Sequence, residues 1–301
     1  MRRAYSTAHC ELEVPDYHPF PKYKSRAVAE ALRGDLEVCD APAVSWEALA
    51  LAHTPEYLQK LRDEGLSRQE AHKVGLPWTP SLLTRALHAS GGTLAATRDA
   101  LETGLGMNLA GGTHHAYPGR AEGYCIFNDV AVSVANLRAE GWNGRVLVVD
   151  LDAHQGNGTA VFFGGDPSVF TLSVHAERNY PLQKERSDLD VGLEDKAQDE
   201  TYLEALEPAL DRAFASKPDL VFYNAGVDIL QNDRFGRLAV SLAGLAERER
   251  RVFERVKAVN VPLTIVMGGG YNRDPHLTVS GHAQTYRLAL QAFSRAWAVN
   301  R

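Results

Sequence analysis

Five short apolar runs constrain this chain more than any other feature, because each ends in a cluster of glycines or reactive side chains. Run 105–110 leads into Gly111-Gly112-Thr113-His114-His115. Run 145–149 leads into Asp150-Leu151-Asp152-Ala153-His154-Gln155-Gly156-Asn157-Gly158. Run 169–174 is followed by His175, run 220–224 by Ala225-Gly226-Val227-Asp228, and run 263–267 by Gly268-Gly269-Gly270-Tyr271. Continuous rather than alternating apolar runs read as strands buried on both faces of a parallel sheet. Helical patterns lie between them, over 27–32, from Thr54-Pro55 onward, over 81–102 (interrupted by Gly91-Gly92), and over 129–140, 202–214, 242–259 and 284–298. This alternation predicts an α/β fold: one domain over 1–301, with a central parallel sheet flanked by helices on both faces. In such sheets ligands bind outside the carboxyl ends of the strands. The active site is therefore expected there, where His, Asp and Tyr from distant segments would meet.

Composition narrows the function classes. The 301 residues are 45% hydrophobic and 23% charged, which excludes disorder and coiled coil as global descriptions. The net charge of −6 argues against a nucleic-acid partner, which normally meets a basic face. Glu247-Arg248-Glu249-Arg250-Arg251 mixes signs and reads as a solvated helix face. Cys10, Cys39 and Cys125 are few and far apart, so neither a disulfide framework nor a cysteine zinc site is expected. The first residues carry no apolar signal core, and no run approaches 18 apolar residues, so no membrane span and a cytoplasmic, reduced protein are expected.

Asp152 and His154 stand one residue apart. On an extended strand end, such positions point the same way and can bind one metal ion from one side. A third ligand must come from elsewhere, and Asp228 is the best-placed acidic residue. Three N/O ligands with an open position suit a catalytic metal. Zinc fits imidazole and carboxylate donors, as do Fe(II), Co(II) and Mn(II). Taken alone, the D-x-H pattern is also what a polar strand-end turn looks like. His114 and His115 suit acid–base work near neutral pH, or form a ligand pair, or are two satisfied loop histidines. Asp150 and Asn157 could each bind one of their ring nitrogens, which would separate their pKa values. Tyr271 follows three glycines and could offer its phenol to the crevice; the same glycines suit a tight turn.

Taken in order, GGTHHA…GYCIFND, VVDLDAHQGNG, YNAGVDIL and MGGGY resemble the zinc-dependent histone deacetylase family, of the arginase–deacetylase fold. The resemblance runs from about His18-Pro19-Phe20 onward. DAHQGNG, the DRFG that follows NAGVDIL, and Gly75-Leu76-Pro77-Trp78 look most like the class IV deacetylases and their bacterial relatives. The resemblance implies zinc on Asp152, His154 and Asp228, with His114 and His115 as the active-site histidines, the second acting as general base and acid. It implies Tyr271 as the transition-state phenol. It places Gly123 and Tyr124, with Gly269 and Gly270, along the acyl-lysine channel. It also implies a structural K+ near Asp150, Asp152, His154, Ser173 and Val174. The expected activity is removal of acetyl or longer acyl groups from lysine side chains of a peptide or protein. An acylated small amine of the polyamine type is the alternative substrate, and a non-catalytic binding protein that keeps the fold is a third reading. Cys125 is expected to be a buried small residue. His53, His72, His88, His276 and His282 are expected at the surface or in packing, and His9, His18 and His175 at loop or strand ends that border the crevice.

Overall fold

The computed structural model describes residues 1–294. Eight strands form one sheet: β1 Arg3–Ser6, β2 Glu37–Asp40, β3 Leu105–Asn108, β4 Val146–Asp150, β5 Val169–Ala176, β6 Leu189–Leu193, β7 Leu220–Asn224 and β8 Leu263–Val266. Their order is β2-β1-β3-β8-β7-β4-β5-β6, and every pairing is parallel. Leu147 and Val149 of β4 enter one apolar core, while Val146 and Val148 enter another on the opposite face. Both faces are thus dry, which is why the strand reads as unbroken apolar sequence.

The expected α/β architecture is the one observed, with three additional strands. β1, β2 and β6 lie at or next to the edges, and β2 and β6 are largely exposed. Edge strands lack the apolar run that marks the central ones. The helix expected over 81–102 spans Pro80–Thr103 without a break. Gly91 does not interrupt it; a Cβ there would lie 2.0 Å from the Pro42 carbonyl oxygen, so the glycine allows close packing. The helix expected over 284–298 starts earlier and runs Pro275–Ala292; its expected end from 295 lies outside the described residues. No described helix is long and apolar enough to cross a membrane.

The charged stretch 247–251 corrects the expectation of a solvated face. In helix Leu242–Val259, Arg248 and Glu249 are fully buried. They occupy the same stripe as Leu245, Val252, Phe253 and Val256, at helical spacing. Arg248 donates to the carbonyls of Leu151 (3.0 Å) and Gly226 (2.7 Å) and pairs with Glu249 (2.6 Å). Glu249 also accepts from Tyr223 and from Thr285 Oγ1. Arg248 thereby ties together the two backbone segments that lead to Asp152 and Asp228. Arg248→Met should strand a buried carboxylate and cost about 3–5 kcal/mol of folding free energy. Denaturant titration of the two proteins measures this; a loss under about 1 kcal/mol, the range of an exposed ion pair, would return the pair to the surface class.

Candidate active site

The segments leaving β3, β8, β7 and β4, four neighbouring strands, meet at one end of the sheet. Their pairing continues past the strands: Met267 N donates to Ala110 O (2.9 Å), Leu151 N to Asn224 O (3.1 Å) and Val227 N to Gly269 O (2.8 Å). Irregular backbone is thus held as firmly as the sheet itself.

Asp152, His154 and Asp228 are all buried, and their donor atoms lie within 4.8 Å of one another. His154 Nδ1 is 3.0 Å from Asp152 Oδ1 and 3.0 Å from Asp228 Oδ2. Gly269 N donates to Asp152 Oδ2 (2.7 Å), and Ala153 N to Asp228 Oδ1 (2.8 Å). Burial and the neighbouring Asp152 raise the pKa of the Asp228 carboxyl. Burial alone would lower that of His154, but hydrogen bonds to both carboxylates bring it up to about 10. Two carboxylates in one dry spot call for a cation, and this donor set could hold a divalent metal ion.

The two histidines are adjacent, with ring centroids 4.0 Å apart, yet their surroundings differ. His114 Nδ1 donates to Asp150 Oδ2 at 2.7 Å. Burial opposes its charge, but Asp150 and Asp152 outweigh burial and raise its pKa to about 9. His115 Nδ1 meets only the amide oxygen of Asn157, at 2.6 Å. Burial, and then the cations His114 and His154, push its pKa well down. At neutral pH one ring carries a proton that the other lacks, and His115 Nε2 keeps a free lone pair. Asp150 is held in turn by Asn224 Nδ2 (2.9 Å).

Tyr271 lies beside these groups, its ring centroid 6.5 Å from that of His154 and 5.9 Å from that of Tyr124. Burial and then Asp152 and Asp228 push its phenol well above the usual range, so it stays a donor. Its backbone N–H donates to Asp233 Oδ2 (2.7 Å). Gly123, Tyr124 and Gly269 line the pocket with His114, His115, Asp152 and His154. Gly123 has a φ of +51°, and a Cβ there would lie 2.6 Å from the His115 ring. Gly270 does not line the pocket; a Cβ on it would meet Val227, His282 and Thr278. Ser173 is the register partner of Asp150 across β4 and β5, with Val174 next in the strand.

Several groups lay beyond the sequence reading. Tyr180 packs edge-on against His115 at 4.9 Å and borders the mouth together with Tyr124. The buried Asp129 accepts from Gly112 N (3.0 Å) and Thr113 N (2.8 Å), fixing the turn before the histidine pair; its place just after an Asn N-cap hid it as an ordinary first-turn acid. His175 is the last residue but one of β5, as expected near a strand end, but it does not line the pocket; it is buried and bonded to Ser173 Oγ (2.9 Å). His9 lies away from this pocket, while His18 sits 6.4 Å from the Tyr124 ring.

Fold and site together define a class: a parallel α/β protein with a candidate metal centre, a histidine pair and a phenol at its strand ends. Residues 18–286 match the histone deacetylase domain, and the chain belongs to that family. It is 41% identical over 288 residues to an uncharacterised protein of Picosynechococcus sp., covering 93% of this chain and 95% of that one. It is 32% identical to histone deacetylase 2 of Arabidopsis thaliana, covering 86% of this chain and 70% of that protein. A solved histone deacetylase homologue from Aquifex aeolicus superposes with a TM-score of 0.79 at 22% identity, over 98% of this chain and 84% of that one. This last likeness concerns the fold. Membership of the family makes the chain a hydrolase-family member and supports a deacetylase activity.

His53, expected at the surface or in packing, is buried and is the fastener of the loop that carries Gly123 and Tyr124. Its Nδ1 donates to Pro118 O and its Nε2 accepts from Asn128 N, both at 3.1 Å. Burial lowers its pKa to about 4. An unfolded histidine titrates near 6.5. Between pH 6.5 and 4 the unfolded chain therefore binds the extra proton, and stability falls as pH falls through that window. From pH 7 to pH 5 this one group should remove about 2 kcal/mol. His53→Gln should lose that much less over the same interval in denaturant titrations. Equal losses in both proteins would contradict the assignment.

Proposed function

We propose that the protein is a zinc-dependent cytoplasmic deacylase that removes acetyl or longer acyl groups from lysine side chains of peptides or proteins. The observation that carries this reading is the divergence of His114 and His115 beside a buried Asp152–His154–Asp228 donor set. Zinc held by those three residues would supply Lewis-acid polarisation of an amide carbonyl and of a water molecule. His115, uncharged and tied through Nδ1 to Asn157, takes the water proton on Nε2. His114, charged by its contact with Asp150, keeps positive charge beside the developing oxyanion, and either ring then hands a proton to the leaving amine. Tyr271 donates its phenolic proton as a hydrogen bond to that oxyanion. The products are a free amine and a carboxylic acid. Asp150 and Ser173, side by side across two strands, suit a structural K+ that would fix the base of the site.

The surroundings favour lysine over a polyamine. Lys73, Arg234 and Arg237 line the outer mouth together with Tyr124 and Tyr180, and among the described residues no carboxylate lines it. A polyamine brings further ammonium groups, which this mouth repels. Inward, Phe20, Leu76, Leu82, Ala86 and Ile126 give the pocket an apolar wall suited to an acyl chain.

The test is a panel of acyl-lysine peptides of increasing chain length and of acetylpolyamines, assayed with zinc-loaded protein. Acyl-lysine peptides should be hydrolysed and acetylpolyamines at least tenfold less well. Tyr271→Phe should lose about 10²–10³ in kcat with little change in KM. No turnover of any acyl-lysine peptide would overturn the proposal in favour of a binding protein. Preference for polyamines would overturn the substrate class.

A further inference from the structure

A second cluster of metal-binding side chains lies outside the active site, on the other side of Arg85. That residue lines both the active-site pocket and the neighbouring groove that contains Cys10. His9 and Cys10 follow β1, and His88 lies in helix Pro80–Thr103. Their donor atoms lie within 4.8 Å of one another. His9 Nε2 is 3.3 Å from Cys10 Sγ and 3.2 Å from His88 Nδ1. Tetrahedral zinc, with bonds of about 2.0–2.1 Å to nitrogen and 2.3 Å to sulfur, sets its ligand atoms roughly 3.3–3.6 Å apart. The observed spacings are close to those edges.

The surroundings are those of a metal site as well. His9 Nδ1 lies 3.2 Å from the carboxylate of Asp40, at the end of β2. A carboxylate on one ring nitrogen orients the other as a ligand and raises its basicity. Cys10 is buried, and Cys10 N donates to Thr7 O (3.0 Å), which fixes the turn that aims its sulfur. His9 is exposed, which leaves an entry path and room for a water as fourth ligand. None of these residues belongs to the deacylase machinery proposed above.

We propose that His9, Cys10 and His88 form a second metal site, for zinc or another borderline transition ion. On binding, the sulfur–metal bond replaces the S–H bond of Cys10, whose proton leaves to solvent. The His88 proton, held between Nδ1 and the Ala41 carbonyl at 2.6 Å, passes to Nε2 and frees Nδ1 to ligate. One proton is released per ion, and the segment after β1 becomes tied to helix Pro80–Thr103.

Cobalt(II) tests this directly, because a thiolate ligand gives it a near-ultraviolet charge-transfer band and the Asp152–His154–Asp228 donor set contains no sulfur; Cys125, in the same pocket, keeps its thiol on the Gly123 carbonyl (3.2 Å). Metal-free protein, kept reduced by a non-thiol reductant, is titrated with Co2+. The band should appear and reach full height within two equivalents per chain, the other ion going to the Asp152–His154–Asp228 site; it should persist in Asp228→Asn and vanish in Cys10→Ser. Asp40→Asn should weaken the ion's affinity about 10–100-fold. If Cys10→Ser fails to fold, alkylation of the wild-type chain replaces it: zinc should protect Cys10 and leave Cys39 labelled as before. Two equivalents of cobalt bound to the wild type without the band, a band that survives Cys10→Ser, or unprotected Cys10 would overturn the proposal.

Discussion

Two carboxylates, Asp152 and Asp228, are held side by side where there is almost no water, and much of the surrounding structure follows from that. Left alone they would repel each other and regain protons. The chain surrounds them with donors instead: His154, and the amides of Ala153 and Gly269. It also removes side chains that would intrude. A Cβ on Gly226 would lie 2.4 Å from Asp152 Oδ2, and one on Gly269 would lie 2.1 Å from Asp228 Oδ2. Beneath them Arg248 grips the carbonyls that precede each ligand. Such a site is built at some cost to stability and makes sense when a cation completes it.

The same economy separates the two histidines. They are chemically identical neighbours in sequence, and only their partners differ. A carboxylate behind His114 keeps its proton on, while an amide behind His115 gives orientation without charge. One environment makes a cation and the other a base, without any change of residue type. Tyr271 completes the set because burial, and then the nearby carboxylates, keep its phenol protonated.

How much of this was legible in the sequence depended on burial. The central strands were readable because residues on both faces are apolar, so 145–149 and 220–224 needed no partner to be recognised. β2 and β6 were not, since their exposed residues carry the polar pattern of a loop. Strand ends drew attention to Asp152, His154, Asp228 and the histidine pair because reactive residues clustered there. Arg248 and Glu249 sit in a mixed-charge stretch that reads as exposed, although both fall on the apolar stripe of their helix. His175 lies near the end of β5 as the pattern suggests, yet away from the crevice, because its Ser173 hydroxyl partner lets a histidine stay inside. Tyr180 and the His9–Cys10–His88 cluster depend on contacts between distant segments, which local pattern does not encode.

The central claim is that the carboxylate pair strains the metal-free protein and is relieved by a divalent cation. Melting temperatures of wild type and Asp228→Asn, each metal-free and each with saturating zinc, test it most directly. Without metal, Asp228→Asn should melt higher, because one of two crowded charges is gone while Ala153 N keeps an oxygen acceptor. With zinc the order should reverse, since only the wild type has all three ligands, and an ion at 100 times its Kd adds about 2.7 kcal/mol. A metal-free wild type that outlasts Asp228→Asn, or an order unchanged by zinc, would contradict the account.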